Sequence, residues 1–369
     1  SLVSPLANLC TEWAVVLAFL GGAVSLVAGA LFPPLGQALA AVVALPVDYF
    51  YWFSRTASGW SLAALRLDIG LYAGWVVFVY GVLILCLWRI NRYPDRRLPV
   101  ALPVGACAVT LAAAVLFTVY QAQRHDLTFR LLDVGQGQCV VVTSGSARAM
   151  IDCGGTKDPG DTGATYVQSL GRSRLDLLIL THYHNDHAGG VLELLERVKV
   201  EAIVAPDVDP DSDLRQAIAA RAAQLDIPMH YITENTDLTL GKAEITLYAP
   251  VTGGGDSNEQ CLSVLCQANG WDALLTGDMP LETEELLVAR EDLPQVDLLV
   301  AGHHGSKYAT SETLLAAVDP DAVAISVGYN NYGHPTPETL GRIQAQGAAV
   351  YRTDYEGHII FTAPEGEES

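Results

Sequence analysis

The sequence predicts an α+β protein in which N-terminal transmembrane helices are followed by an αββα sandwich, and three observations lead to this prediction. Residues 1–123 contain long runs without a charged side chain. In residues 124–369, short apolar runs alternate with amphipathic segments. Several of these apolar runs end in histidine or aspartate. We therefore expect a membrane-spanning domain over residues 1–123 and a soluble domain over residues 124–369.

Long apolar runs predict the membrane helices. A helix needs about 20 apolar residues to cross roughly 30 Å of hydrocarbon, and an uncharged helix of that length has no polar face to present to water. Three runs meet this requirement: residues 13–31, 69–88 and 98–120. Residues 35–53 are also apolar, but Pro46 and Asp48 interrupt them. That segment is therefore predicted to be either a kinked span or a re-entrant segment.

The two parts of the chain differ in charge. Residues 1–123 carry six arginines and four acidic side chains, whereas residues 124–369 carry 15 basic and 37 acidic ones, a net charge of −22. Four arginines lie between the last two apolar runs: Arg89, Arg92, Arg96 and Arg97. Loops rich in Lys and Arg stay in the cytoplasm. We therefore predict a multi-pass protein of the cell membrane with its soluble domain on the extracytoplasmic side.

Short apolar runs and amphipathic stretches define the elements of the soluble part. The predicted strands are residues 127–134, 139–142, 149–152, 175–180, 202–205, 245–249, 261–267, 273–276, 296–301, 322–327 and 350–353. The predicted helices are residues 165–170, 191–198, 213–224, 282–289, 313–318 and 337–345. Two mixed sheets that face each other, with the helices outside, bury the apolar side of every element. This is the αββα sandwich.

Six residues after the apolar run 175–180 carry the strongest chemical signal. They read His-Tyr-His-Asn-Asp-His and supply His182, His184, Asp186 and His187. On extended backbone, His182 and His184 point the same way and can hold one ion. Asp186 and His187, at the turn into a helix, can face a second ion. Nitrogen and oxygen ligands without a thiolate suit Zn²⁺ or Mn²⁺, so we predict two divalent metal ions and hydrolytic chemistry.

Three further strand ends carry polar residues that can belong to the same site. Asp278 follows an apolar run and can bridge two ions, although Gly-Asp pairs are common in ordinary turns. His303 and His304 precede Gly-Ser, where a structural role is the alternative. His334 can protonate a leaving oxygen or bind an oxyanion, unless it is simply a histidine of a surface loop.

The order of these motifs resembles the metallo-β-lactamase superfamily. The resemblance rests on Ile151-Asp152-Cys153-Gly154-Gly155, the motif at 182–187, Thr276-Gly277-Asp278 and Gly302-His303-His304-Gly305-Ser306. The chain is also similar to ComEC-type DNA-internalisation competence proteins. That similarity rests on Leu132-Asp133-Val134-Gly135-Gln136-Gly137, on the His-His-Gly-Ser run and on Tyr332-Gly333-His334-Pro335. In that family, this domain follows a polytopic membrane region.

The resemblance implies a function in DNA uptake during natural competence. Residues 1–123 would be the end of a channel-type domain that passes single-stranded DNA. The soluble part would be a metallo-β-lactamase-like hydrolase domain, a nuclease or phosphodiesterase acting on the strand that is not imported. The implied partners are single-stranded DNA, membrane lipids, other DNA-uptake machinery and further copies of the chain.

The resemblance also implies roles for individual residues. The implied metal ligands are His182, His184, Asp186, His187, His303 and, as a bridge between the ions, Asp278. Behind the ligands, Asp152 and Asp133 would orient them. The groups assigned to catalysis are Asp186, His304 and His334. The side chains assigned to substrate binding are Lys307, Asn331 and Tyr332.

Two positions depart from the family pattern. Members usually have Asp after Gly-Gln-Gly, where this chain has Gln138. If that carboxylate contacts the metals or the substrate, its replacement weakens the nuclease interpretation. Many hydrolases of the superfamily also supply a histidine between the first motif and the Gly-Asp pair. Here only His230 lies between them, in a segment with the pattern of a plain strand.

Two cysteines suggest a covalent link in the predicted first sheet. Cys139 and Cys153 flank a hairpin turn at Ser144-Gly145-Ser146. A symmetric register would place them opposite each other, near the Cα separation of about 5.5 Å that a disulfide requires. We hypothesise a disulfide bridge between them.

The acidic charge of the soluble part opposes DNA binding, because DNA-binding surfaces are usually basic. A local patch would have to come from Arg124, Arg130, Arg172, Arg174, Lys307 and Arg352. We expect weak binding that depends on divalent metal. Two alternatives remain open: a membrane-tethered hydrolase of small phosphoesters, cell-wall phosphodiesters or lactams, and a DNA channel whose metal-binding domain is not catalytic.

Overall fold

The computed structural model describes residues 4–58, 69–94, 99–123, 125–170 and 173–364. Its first four elements are the helices α1 (Ser4–Leu31), α2 (Pro33–Ser58), α3 (Ile69–Arg92) and α4 (Ala101–Gln123). Within the described ranges, three helical segments are long and apolar enough to cross a membrane: Leu6–Leu31, Gly70–Arg92 and Ala101–Thr118. These segments match the three predicted spans and fit a membrane protein.

The interrupted apolar run at residues 35–53 lies within the single helix α2, which contains Pro46. Helix α2 packs along α1, where the rings of Trp13 and Tyr49 lie 4.9 Å apart. The Tyr49 hydroxyl also donates a hydrogen bond to the backbone oxygen of Cys10. Helix α2 is not among the three segments that are long and apolar enough to cross a membrane, so the choice between a kinked span and a re-entrant segment stays a prediction.

The rest of the described chain forms two seven-stranded sheets and one small two-stranded sheet. The first eight strands are β1 (Thr128–Leu131), β2 (Cys139–Ser144), β3 (Ala147–Cys153), β4 (Arg174–Leu175), β5 (Leu177–Ile179), β6 (Lys199–Val200), β7 (Ile203–Pro206) and β8 (Met229–Ile232). The other eight are β9 (Thr236–Leu240), β10 (Ala243–Tyr248), β11 (Ser263–Ala268), β12 (Trp271–Leu275), β13 (Leu298–Val300), β14 (Ala322–Ile325), β15 (Ala349–Arg352) and β16 (Ile359–Thr362). Strand order is β16-β1-β2-β3-β5-β7-β8 in the first sheet and β15-β14-β13-β12-β11-β10-β9 in the second.

Helices cover the outer face of each sheet. The first group is α5 (Pro159–Ser169), α6 (Asn185–Ala188), α7 (Val191–Arg197) and α8 (Asp213–Gln224). The second is α9 (Leu281–Arg290), α10 (Glu312–Val318), α11 (Pro337–Gln346) and α12 (Thr353–Glu356). Alternate residues of a strand pack into different hydrophobic cores. In β2, Val140 packs between the two sheets and Val141 packs between the first sheet and its outer helices. The predicted αββα sandwich is confirmed.

Three strands lie outside the predicted set: β6, β9 and β16. Strand β9 reads Thr-Asp-Leu-Thr-Leu and is largely exposed, so its apolar content gives little signal. In the first sheet, Cys139 and Cys153 are Cα partners across β2 and β3, as the symmetric register predicted. Both are buried free thiols, so the hypothesised disulfide is wrong for this structure.

Parallel pairing brings the functional strand ends together. Strands β3 and β5 run parallel in the first sheet, and β12, β13 and β14 run parallel in the second. Their carboxyl ends therefore meet at one edge of the sandwich. The residues at or just after these ends include Asp152, His182, Asp278 and His304.

Candidate metal centre

Four side chains from both sheets converge at this edge. The ligand atoms of Asp186, His187, Asp278 and His304 all lie within 4.8 Å of one another. The Nε2 atom of His187 is 2.9 Å from Oδ1 of Asp278. The Nε2 atom of His304 is 3.4 Å from Oδ2 of Asp186. Two ligands that each lie about 2.1 Å from one ion are roughly 3–4 Å apart, so these spacings suit a shared cation.

Hydrogen bonds determine which nitrogen of each ring faces the centre. Nδ1 of His187 lies 2.7 Å from Oδ2 of Asp152, and the carboxylate can only accept, so Nδ1 carries the hydrogen. Nδ1 of His304 donates in the same way to the backbone oxygen of Ser326, at 2.8 Å. Both rings therefore direct Nε2 towards the centre, where it could bind a metal ion.

A third ring is oriented through Thr181, a residue that sequence reasoning missed. Its hydroxyl donates to Asp152 at 2.8 Å, so that oxygen is left to accept from Nδ1 of His182 at 3.1 Å. Among the described residues, the Nε2 atoms of His182, His187 and His304 and the Oδ1 atom of Asp278 are buried and make no hydrogen bond of acceptable geometry, although Nε2 of His187 lies 2.9 Å from Oδ1 of Asp278. Buried polar atoms without partners are costly. Divalent metal ions would satisfy all four, so these residues fit the predicted cofactor.

The remaining motif residue lies on the solvent side. The ring of His184 lies 4.7 Å from that of His182 in an edge-on arrangement, which is consistent with the prediction that both side chains point the same way. His184 is exposed, and Asp186 is only partly buried. His182 and His184 offer two nitrogens to an ion next to the four-residue group, because the rings of His182 and His187 are 4.1 Å apart. That second position is open to solvent and poorer in ligands.

Charges within the group stabilise a cation. Burial opposes ionisation of Asp278, but the neighbouring His187 and His304 hold the pKa of that carboxyl well below its usual range. Burial also opposes a charge on His187, yet the carboxylates of Asp278 and Asp152 raise the pKa of that ring. Burial and the adjacent His187 lower the pKa of His182. A proton and a metal ion thus compete for Nε2 of His187.

The structure exchanges the predicted positions of the two consecutive histidines. His304 is 2 % exposed and belongs to the four-residue group, whereas His303 is not part of it. Nε2 of His303 lies 3.6 Å from Oδ2 of Asp278, and its side chain is 32 % exposed. Both residues have positive φ values, 50° and 55°. Two left-handed residues in succession rotate the side chains away from strand alternation, so their order could not be inferred from spacing.

The residues assigned to orienting the ligands separate into two groups. Asp152 accepts hydrogen bonds from Thr181, His187 and the Gln138 amide, the last at 2.9 Å. Gln138 therefore contacts the orienting carboxylate rather than a metal ligand. Asp133, in contrast, pairs with Lys157 at 2.7 Å and accepts from the backbone of Gly135. These contacts hold a loop and include none of the four clustered residues, so the orienting role of Asp133 stays a prediction.

A glycine allows the loop after β3 to reach the metal motif. A Cβ atom on Gly154 would lie 2.2 Å from the carbonyl carbon of Asp186, a distance that no side chain tolerates. The Gln138 backbone N–H donates to the Asp186 oxygen at 2.8 Å at the same place. The close approach holds the Asp186 backbone beside the end of β3.

Of the residues assigned to substrate binding, two line a cleft beside the candidate metal centre and one does not. Asn331 and Tyr332 line a cleft of about 610 Å³ that also includes His184 and Asp186. The ring of His334 lies 5.8 Å from that of His303, on the open side of the group. Lys307 is absent from the cleft lining, and its ammonium lies 4.9 Å over the ring of Tyr308.

The predicted basic patch is not formed by the described residues. Arg130 is buried and donates to Thr143, while Arg174 and Arg352 form ion pairs with nearby carboxylates. Arg124 and Arg172 lie outside the described residues. No Lys or Arg lines the described cleft. The acidic charge of this part is therefore not offset at the site.

Comparison with known proteins places this site in a family. The profile of the metallo-beta-lactamase superfamily matches residues 132–329, and the chain belongs to that superfamily. All four residues of the clustered group lie within the matched range. The αββα architecture agrees with this membership.

Particular relatives are competence proteins. The chain is 26 % identical over 306 residues to ComE operon protein 3 of Bacillus subtilis, covering 78 % of this chain and 39 % of the relative. It is 28 % identical over 378 residues to Competence protein ComA of Neisseria gonorrhoeae, covering 99 % of this chain and 48 % of the relative. The chain thus spans half the length or less of these relatives. Among solved structures, the metallo-beta-lactamase fold protein YhfI from Bacillus subtilis matches with a TM-score of 0.47 and 12 % identity, over 64 % of this chain and 100 % of that one.

Proposed function

We propose that this chain takes part in DNA uptake and that its soluble domain hydrolyses phosphodiester bonds in DNA with divalent metal ions. The observation that carries the proposal is a set of four buried side-chain atoms that make no hydrogen bond within the described part of the chain, three from histidine rings and one from Asp278. Membership of the metallo-β-lactamase superfamily supports a metal-dependent hydrolase. Relatives named as competence proteins support a role in uptake.

We assign the metal ligands by position. Asp186, His187, Asp278 and His304 would hold one ion, and His182 with His184 would hold a second, with Asp278 between the two. Two bound ions, Zn²⁺ or Mn²⁺, would supply an activated water and would neutralise the phosphate charge in an in-line attack. Asp152 positions His187 directly and His182 through Thr181.

The remaining polar groups on the open side are suited to binding the substrate. His303 lies between Asp278 and His334, with one face accessible to solvent. We assign His303 and His334 to hydrogen bonds with the phosphate or the leaving oxygen. Burial and the neighbouring histidines lower the pKa of His334, so at neutral pH the ring is uncharged and can act as donor or acceptor. Asn331 and Tyr332 would contact the nucleotide beyond the scissile bond.

The arrangement in the membrane follows from charge and helix length. Residues 1–123 would be the end of a channel-type domain, and residues 124–369 the hydrolase. Arg89 and Arg92 end α3, which favours a cytoplasmic loop after that helix. Helix α4 would then lead the chain outward, so that the hydrolase lies on the extracytoplasmic side. There it would meet the DNA strand that is not imported, together with other uptake components or further copies of the chain.

A cleavage assay with the full chain in detergent micelles tests the proposal. End-labelled single-stranded and double-stranded DNA are incubated with Mn²⁺, Zn²⁺ or chelator, and His187→Ala is compared with His230→Ala. His230 is an exposed histidine of β8 and is absent from the ligand group, so it is a matched control. We expect metal-dependent cleavage that His187→Ala abolishes and His230→Ala preserves.

The same assay separates the alternatives. Hydrolysis of a small bis-phosphate ester without hydrolysis of DNA would favour the membrane-tethered hydrolase of small or cell-wall phosphoesters. If no substrate is hydrolysed and His184→Ala nevertheless abolishes DNA uptake in cells, the hydrolase proposal is rejected. The result would then favour a DNA channel with a non-catalytic metal-binding domain.

A further inference from the structure

Two tyrosines project from the cleft beside the candidate metal centre. Tyr329 is 90 % exposed and Tyr332 is 76 % exposed, and both line the cleft that also contains His184 and Asp186. An exposed aromatic ring does not gain the free energy that its burial away from water would provide. Their position at a cleft shared with metal-ligand candidates suggests a ligand that covers them.

The loop that carries these tyrosines is rigidly held. The side-chain amide of Asn330 donates to the backbone oxygens of Gly328 and His334, at 2.9 Å each. The Asn330 side-chain oxygen accepts from the backbone N–H groups of Tyr332 and His334. Four hydrogen bonds thus fix the backbone on both sides of Asn330. The two rings are presented on an ordered loop, which lowers the entropic cost of binding.

Charge limits what kind of contact the cleft can make with a nucleic acid. Its described lining contains no Lys or Arg and includes the carboxylate of Asp186. Neutralisation of phosphates, which normally dominates affinity, is therefore weak away from the metal ions. Aromatic stacking is the remaining source of affinity, and it accepts every base because each base has a π-face.

We propose that Tyr329 and Tyr332 form a stacking platform for unpaired nucleobases next to the scissile phosphate. The inference rests on the proposed function and deepens it, since it names single-stranded nucleic acid as the substrate form. Bases within a duplex are already stacked on each other and cannot cover the two rings. From the platform, the ring of Tyr332 lies 5.8 Å from that of His334, which in turn lies 5.8 Å from that of His303. A strand stacked on Tyr332 can therefore continue towards Asp278.

The test compares strands that differ only in their bases. Binding of the full chain in micelles with Mn²⁺ is measured by fluorescence anisotropy, using phosphorothioate oligothymidine and an abasic strand of equal length and charge. We expect the wild-type protein to bind oligothymidine about tenfold or more tightly than the abasic strand, from one or two stacked bases. The double variant Tyr329→Ala/Tyr332→Ala should lose this preference, and Tyr329→Phe/Tyr332→Phe should keep it.

Tyr355→Ala is the matched control, because Tyr355 is also 76 % exposed but does not line the cleft. Equal loss of preference in this control overturns the platform. Equal binding of base-containing and abasic strands by a protein that still hydrolyses DNA also overturns the platform, while the proposed function stands. If the protein hydrolyses no DNA but still shows a base preference that depends on the two tyrosines, the stacking platform is supported and the proposed nuclease activity is rejected. If a sugar-phosphate oligomer binds more tightly than oligothymidine through the same tyrosines, the proposal is overturned and the ligand of the two rings is a carbohydrate instead of a nucleobase.

Discussion

Oδ2 of Asp152 lies 2.7 Å from Nδ1 of His187, and both side chains are completely buried. The same carboxylate accepts from the Gln138 amide and from the hydroxyl of Thr181, which in turn contacts His182. Asp152 therefore determines which nitrogen of two rings faces the candidate metal centre. Its φ of 58° is unusual for a residue other than glycine and lies at the end of β3.

Asp152→Asn should lower metal affinity about 10–100-fold. An amide at this position can no longer accept from every donor around it, so the tautomer of His187 is no longer enforced. Mn²⁺ and Zn²⁺ affinity are measured by calorimetry on the full chain. Asp133→Asn is the control, because Asp133 pairs with Lys157; equal losses in the two variants would contradict the role given to Asp152.

His304→Ala and His303→Ala should have different effects. His304→Ala removes one of four clustered ligands, so we expect the affinity for the tighter ion to fall at least tenfold. His303→Ala should leave that affinity within about twofold and should lower kcat by about 100-fold or more. Metal titration and steady-state kinetics on the same preparations distinguish the two outcomes. A larger loss of metal affinity in His303→Ala would restore the order expected from sequence.

Gln138→Asp should destabilise the protein by about 1–3 kcal/mol at neutral pH. The substitution replaces a donor that lies 2.9 Å from Asp152 with a second carboxylate. Like charges raise the pKa of one member of such a pair, so the deficit should shrink as the pH falls towards 4. Urea unfolding of metal-free protein at several pH values checks this, with Gln138→Asn as the amide control. A deficit that does not change with pH would point to packing instead.

Glu284 should make stability depend on pH. Burial raises the pKa of this carboxyl from its ordinary 4.5 to about 7. The native state therefore retains a proton that the unfolded chain releases, and stability falls as the pH rises from about 4.5 through 7, by up to about 3 kcal/mol. Glu284 accepts hydrogen bonds from the backbone N–H groups of Thr310 and Ser311. These two residues end the loop that begins with Gly302-His303-His304, so the protonation of Glu284 affects the loop that carries both histidines.

Glu284→Gln should flatten this pH dependence, although one hydrogen bond to the loop is lost. The measurement is the free energy of unfolding in denaturant between pH 4.5 and 8. Glu282→Gln, an exposed position on the same helix, should leave the wild-type slope unchanged. An unchanged slope in Glu284→Gln would assign the dependence to other groups.

The membrane helices and most strands are predictable because the signals are local. Each of the three apolar runs is close to the length that a span needs, and the described parts of these runs are largely helical. Helix α2 could not be predicted as a single helix, because Pro46 disfavours helix continuation and only packing on α1 supports it. Strand β9 was missed because its polar side chains are largely exposed at a sheet edge.

Within the first motif, spacing predicts local geometry. The rings of His182 and His184 are neighbours, and Asp186 and His187 lie in a short helix after the strand, as the sequence predicts. Thr181 gave no signal of its own, because its role depends on a carboxylate 29 residues earlier in the chain. Gln138 could not be interpreted before its contact with Asp152 was known.

Residue order is sufficient to establish that apolar helices precede an αββα sandwich and that imidazoles and carboxylates collect at its edge, since hydropathy and strand periodicity are properties of neighbouring residues. The folded chain was needed to show that His304, and not His303, is the buried histidine of the four-residue group. That arrangement depends on two left-handed residues and on a Ser326 carbonyl 22 residues away. Contacts between distant segments are set by the packing of whole sheets, and no local pattern contains them.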